Sequence, residues 1–91
     1  MRATKLKMKP GCGSSNNLVE IDQIYVTGLP LYGWYSKGSL HDYLKSNPGT
    51  IQVNIYPYPE CVPAVSSNFE KYVKSASDGT TKDNLLSLPR E

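Results

Sequence analysis

His41 is the only histidine of the 91-residue chain, and Cys12 and Cys61 are its only thiols, so a proton relay or a cysteine nucleophile would have to be built from these three residues. A histidine relays protons only beside an orienting partner, and a thiol becomes a nucleophile only with a base in hydrogen-bond reach. Nothing in the spacing of His41, Cys12 and Cys61 brings them together, and neither cysteine stands in a CxxC pair, so zinc-knuckle and thioredoxin-type chemistry have no support. Both cysteines read as structural or incidental, and their separation is compatible with free thiols and with a disulfide alike. The carboxylates Glu20, Asp22, Asp42, Glu60, Glu70, Asp78 and Asp83 form no metal-loop spacing. Gly11-Cys12-Gly13 opens into serines and asparagines, with no GKS or GKT beyond it to cradle a phosphate. No catalytic residue, cofactor or metal is expected from these patterns, and the reading leans away from an enzyme.

Basic and aromatic residues form the stronger pattern. Lys5, Lys7 and Lys9 alternate along one face of a predicted strand, Arg2 precedes them, and Lys71 and Lys74 would join if the last strand lies nearby. Tyr32, Trp34, Tyr35, Tyr56 and Tyr58 flank loops and strand ends. Lysines that track phosphates and rings that stack bases are what single-stranded nucleic acid requires. The same residues have plainer uses, because lysine on a strand edge blocks unwanted pairing and aromatics beside prolines fill small cores. A formal net charge of +2 is too small to argue for a nucleic-acid partner by itself. The leading reading is therefore a non-enzymatic protein-interaction module, meeting a protein partner or a second copy through Tyr32, Trp34, Tyr35, Tyr56 and Tyr58. The alternative is a single-stranded nucleic-acid-binding domain that uses Lys5, Lys7, Lys9, Lys71 and Lys74.

These residues need a scaffold, and the periodicity supplies one. Thr4, Leu6 and Met8 alternate with the lysines as in a half-buried strand. Leu18 to Thr27 reads as the longest strand; Val19 and Ile21 share one phase and Ile24 and Val26 the other, so either both faces are covered or, the favoured reading, a bulge near Asp22-Gln23 resets the register. Ser36 is a helix N-cap for roughly Lys37 to Ser46, where Leu40, Tyr43 and Leu44 form an apolar stripe and His41 lies beside it, exposed or half-exposed. Asn47-Pro48-Gly49 ends that helix. Thr50 to Tyr56 is an alternating strand with Ile51, Val53 and Ile55 inward. Pro57 and Pro59 interrupt the ladder, Glu60 to Val65 is a short edge strand, Ser66-Ser67-Asn68 turns, and Phe69 to Lys74 forms a last strand.

The C-terminal stretch is the most decisive locally. Asp78 and Gly79 suit a turn, Asp83 suits an N-cap, Leu85, Leu86 and Leu88 need a core to cover them, and Pro89 ends the element. The run Lys71-Tyr72-Val73-Lys74, then Asp78-Gly79, then Asp83-Asn84-Leu85-Leu86-Ser87-Leu88-Pro89 resembles the closing signature of the DUF3892 family of small bacterial domains of unknown function. The resemblance covers about nineteen residues strongly, and more loosely Trp34 to Leu44. It implies a fold and no activity.

The expectation is one α+β domain over residues 1–91: a mostly antiparallel sheet of four to five strands, one helix packed on it and a short C-terminal helical turn. No window approaches the roughly 18 apolar residues of a membrane span, and the basic N-terminus lacks the apolar run of a signal peptide. A cytoplasmic protein with no membrane partner is expected.

Overall fold

The computed structural model describes residues 1–76 and 83–91; the turn expected at Asp78 and Gly79 lies outside the described residues. Its strands are β1 (Arg2–Met8), β2 (Ile21–Thr27), β3 (Gly33–Ser36), β4 (Gln52–Val53), β5 (Cys61–Val65) and β6 (Lys71–Ser75), with the helix α1 (Lys37–Ser46) between β3 and β4. Short 3₁₀ turns cover Leu18–Glu20 and Asn84–Ser87. The architecture is α+β. The strands divide between a four-stranded sheet of order β3-β2-β1-β4 and a separate β5-β6 hairpin. Among the described strands, the pairings are antiparallel except that of β1 with β4, and a further parallel bridge joins Leu6 to Arg90.

The alternation of β2 is repaired by the expected bulge. Between Lys7 and Met8 of β1 the partner strand steps from Gln23 to Ile21, so Asp22 is the extra residue and Ile21, Ile24 and Val26 all turn to the same buried side. A second shift, between Ala3 and Lys5, makes Thr4 the extra residue of β1. Ala3 therefore takes the inward place expected of Thr4 and is buried with Leu6 and Met8.

Several elements differ from their expected bounds. Leu18 to Glu20 is not the start of a strand, because the Asn17 Oδ1 accepts the Val19 N–H at 3.0 Å and caps a 3₁₀ turn instead. The strand expected over Thr50 to Tyr56 pairs only at Gln52–Val53, since the chain folds back through a turn in which Tyr58 N–H donates to the Ile55 carbonyl (2.7 Å). The last strand begins at Lys71 because Phe69, with φ of 63°, belongs to the turn before it. Gly33–Ser36, to which the periodicity assigned no strand, pairs with β2 as an edge strand.

Helix α1 has its expected bounds, and the Ser36 Oγ accepts the Ser39 N–H at 3.2 Å as the N-cap. Its Leu40 and Leu44 pack into the core with Ile51, Cys61 and Val73, and α1 lies mainly against β5 and β6. His41 is buried on this helix, not exposed as expected, because the β5-β6 hairpin covers that side of α1. The C-terminal segment closes the core. Asp83 Oδ1 accepts the Leu85 N–H (2.8 Å) and Oδ2 accepts the Ser75 N–H (3.0 Å), while Leu85, Leu86 and Leu88 are buried. Beyond Pro89 the chain runs beside β1, with Leu6 N–H donating to the Pro89 carbonyl (2.8 Å) and Glu91 N–H to the Leu6 carbonyl (2.9 Å). Burying each such leucine contributes about 1.5–3 kcal/mol, which makes this segment part of the core. No helix among the described residues is long and apolar enough to cross a membrane.

Candidate functional site

The four-stranded sheet has one face against the core and one face that the helix and hairpin leave open. Because Ala3, Leu6 and Met8 point inward, Arg2, Lys5 and Lys7 of β1 stand on the open face. Register then aligns Lys5 with Tyr25 and Tyr25 with Trp34 across three strands. The rings of Tyr25 and Trp34 meet edge to face with centroids 5.2 Å apart, and Tyr32 meets Tyr25 at 6.1 Å. Each cation lies over a ring: Arg2 over Tyr58 at 4.2 Å, Lys5 over Tyr25 at 5.1 Å and Lys7 over Trp34 at 5.0 Å. At exposed sites such contacts are worth about 0.5–1 kcal/mol each, enough to orient the side chains but not to lock them. Glu91 pairs with Lys5 at 3.2 Å, and both side chains are about half exposed, so solvent screens the pair.

Two loops flank one end of this face. The loop between β2 and β3 exposes Leu29 (88%) and Tyr32 (65%), and the loop after β4 exposes Tyr56 (82%) and Tyr58 (44%). They are remote in sequence, yet each reaches the start of β1. Gly28, with φ of 105°, lies so close to Met1 that an added Cβ would be 3.2 Å from the Met1 Cα, whereas the ring of Tyr58 lies on Arg2. Tyr56 and Tyr58 meet edge to face at 6.0 Å.

The structure thus gathers Tyr32, Trp34, Tyr56 and Tyr58 around the open face and turns the Tyr35 ring to the other side, where its hydroxyl accepts the Tyr32 N–H at 3.3 Å. Tyr35 pairs with Ile24, one residue out of phase with Trp34, and packs against the core. The lysines also divide. Lys5 and Lys7 stay on the open face, but β6 pairs with β5 and not with β1, which carries Lys71 and Lys74 into the hairpin. Lys71 is held by Asp42 at 2.9 Å, and Lys9 by Glu70 at 2.7 Å. Tyr25 is the surface residue that sequence reasoning missed. Its signal was the outward phase of Gln23, Tyr25 and Thr27 once Asp22 is recognised as the bulge.

The groups suited to catalysis are occupied elsewhere. Burial pushes the Cys61 thiol up to about 12, so it is a poor thiolate. A hydrogen bond to Glu20 (3.0 Å) raises the Cys12 thiol as well. His41 Nδ1 meets Asp42 Oδ1 at 3.0 Å within the helix. A cleft of about 620 Å³, lined by Asn17, Leu18, Val19, Tyr72, Asp83 and Leu86 among others, contains neither His41 nor a cysteine. Its carboxylate, Asp83, already accepts two backbone N–H groups. Glu70 is held down to about 2, first by its hydrogen bond to Lys37 and then by that to Lys9, so this carboxylate ties helix, hairpin and β1 together as an ion cluster. No group of three or more His, Cys, Asp or Glu residues able to hold a metal occurs among the described residues.

A family model described as "Protein of unknown function (DUF3892)" matches residues 35–89. No curated protein and no solved structure matches the chain. The matched span takes in α1, β4 to β6 and the Asp83 to Pro89 segment, whereas Arg2, Lys5, Lys7, Tyr25, Tyr32 and Trp34 precede it.

Proposed function

We propose, for a chain that belongs to the DUF3892 family and takes no activity from it, that this is a non-enzymatic interaction module whose protein partner seats on the two apolar loops at one end of the open sheet. The observation that carries the reading is the convergence of Leu29 and Tyr32 with Tyr56 and Tyr58 at that end, although the two loops are far apart in sequence. Exposed leucine and tyrosine side chains cost solvation and contribute nothing to the core; covered by a partner, each fully buried side chain would gain about 1.5–3 kcal/mol. Tyrosine is also enriched among the residues that dominate interface energies. The loops approach a partner partly ordered, because Met1 packs on one and Arg2 on the other, and that reduces the entropy lost on association.

A photo-crosslinking amino acid placed at position 29 or 56 in cells, with position 45 on the exposed side of α1 as the control, tests this. The expected result is a discrete protein adduct, a second copy included, from both loop positions and none from position 45. Adducts equal at all three positions, or none at 29 and 56, overturn the reading.

A further inference from the structure

We infer that the stripe of Arg2, Lys5, Lys7, Tyr25 and Trp34 on the open face binds single-stranded nucleic acid, and that Glu91 competes with its phosphates. This surface adjoins the loops of the preceding proposal but does not depend on it. The formal net charge is only +2, but Lys9 and Lys71 are paired with carboxylates elsewhere, whereas Arg2, Lys5 and Lys7 stand together on the open face with Glu91 beside Lys5 alone. That local excess attracts a polyanion. Lys5 and Lys7 lie two residues apart on one strand, roughly 7 Å, a separation that an extended polynucleotide backbone covers in about one nucleotide. Tyr25 and Trp34 stand beside them on neighbouring strands, which gives bases a place to stack next to the phosphate track.

The rings are not idle, since Lys5 and Lys7 lie over them. Magnitude decides which partner a ring takes. A cation over a ring at an exposed site is worth about two- to fivefold in an equilibrium constant, whereas a base stacked on a ring is worth about fivefold to more than a hundredfold. A phosphate that draws the flexible ammonium aside therefore frees the ring for a stronger contact. Glu91 already occupies the anion position beside Lys5, held there by backbone bonds between the Pro89–Glu91 segment and Leu6. It acts as a built-in competitor that any phosphate must displace. An acidic peptide would satisfy the cations but could not stack on both rings.

The test uses the full chain and a fluorescein-labelled single strand of about 12 nucleotides, a length within the range of known single-strand sites. Trp34 is the only tryptophan, so quenching of intrinsic fluorescence reports stacking directly while anisotropy reports binding. Three phosphate contacts predict a slope of log K against log salt of about −2. Lys5→Gln and Lys7→Gln should each reduce that slope by about 0.7. Trp34→Leu should weaken binding roughly tenfold and leave the slope unchanged, and Glu91→Gln should tighten it by up to about fivefold. Circular dichroism establishes that each variant is folded. No binding at low salt, no Trp34 quenching, an unaltered slope in both lysine variants, or equal affinity for polyglutamate would overturn the proposal. Oligonucleotide binding is read on the strands and crosslinking on the loops, so either proposal can fail alone.

Discussion

Replacement of Asp83 tests how the C-terminal segment is anchored. Read as a cap alone, Asp83→Ala costs about 0.5–2 kcal/mol. The structure raises that figure, because the second carboxylate oxygen accepts the N–H of Ser75, a residue only 8% exposed. A buried N–H left without an acceptor costs a further 1–3 kcal/mol or so. The combined loss is about 1.5–5 kcal/mol, against a total stability on the order of 5–14 kcal/mol for a chain of this length. At about 4–8 °C per kcal/mol, the melting temperature should fall by at least roughly 6 °C.

Asp83→Ser separates the two contributions. Its hydroxyl can still accept the Leu85 N–H but reaches only one donor, so it should lose only the 1–3 kcal/mol or so that belongs to Ser75. Urea unfolding followed by Trp34 fluorescence and by circular dichroism reads both variants, and the denaturant slope should stay constant. Equal losses for Asp83→Ala and Asp83→Ser would show that the cap contributes nothing. A loss below about 0.5 kcal/mol for Asp83→Ala, the level of an ordinary surface change, would refute the anchoring argument altogether.

Two further outcomes follow from particular side chains. The Glu70 carboxyl lies at about 2 in the folded protein against an ordinary 4.5, so it stabilises the fold above the unfolded value, and that contribution is lost as pH falls from about 4.5 to about 2. Glu20 and Asp42 are also held below their ordinary values and act in the same direction. Urea midpoints should therefore drop through this window, and Glu70→Gln should flatten the profile while lowering stability at neutral pH, where Lys37 and Lys9 lose their shared carboxylate. Phe69 adopts a φ of 63° with its side chain 87% exposed, so Phe69→Gly relieves a left-handed backbone without emptying the core. Relief of about 1–2 kcal/mol of left-handed strain exceeds the roughly 0.5–1 kcal/mol that the freer unfolded glycine costs, so the melting temperature should rise slightly; a lower melting temperature would contradict that account.

Local chemistry was legible to the residue in places. Ser36 as a cap and Lys37–Ser46 as the helix depend on interactions within a few positions. Asp83 as a cap and the apolar run at Leu85, Leu86 and Leu88 were readable for the same reason. The bulge, by contrast, was legible only as a break in phase near Asp22-Gln23, and pairing with β1 decided that Asp22 is the extra residue. The errors fell where a local signal met a distant partner. Ala3 replaced Thr4 inside because a register shift against β2 decides which side chain turns inward, and His41 was covered because the hairpin lies over α1.

The candidate surface shows the same division. Sequence by itself determined which residue types occur and their alternation along each strand: the cations at Arg2, Lys5 and Lys7, the aromatic loops, and the leucines that close the core. Only tertiary structure decided that β6 pairs with β5, so Lys71 and Lys74 leave the basic face, and that Trp34 faces outward while Tyr35 faces the core. It also brought Leu29, Tyr32, Tyr56 and Tyr58 to one end of the sheet. The physical reason is that caps and alternation are satisfied by neighbours in the chain, whereas strand order and register are selected by the whole core at once, and a shift of one residue turns a side chain from one face to the other.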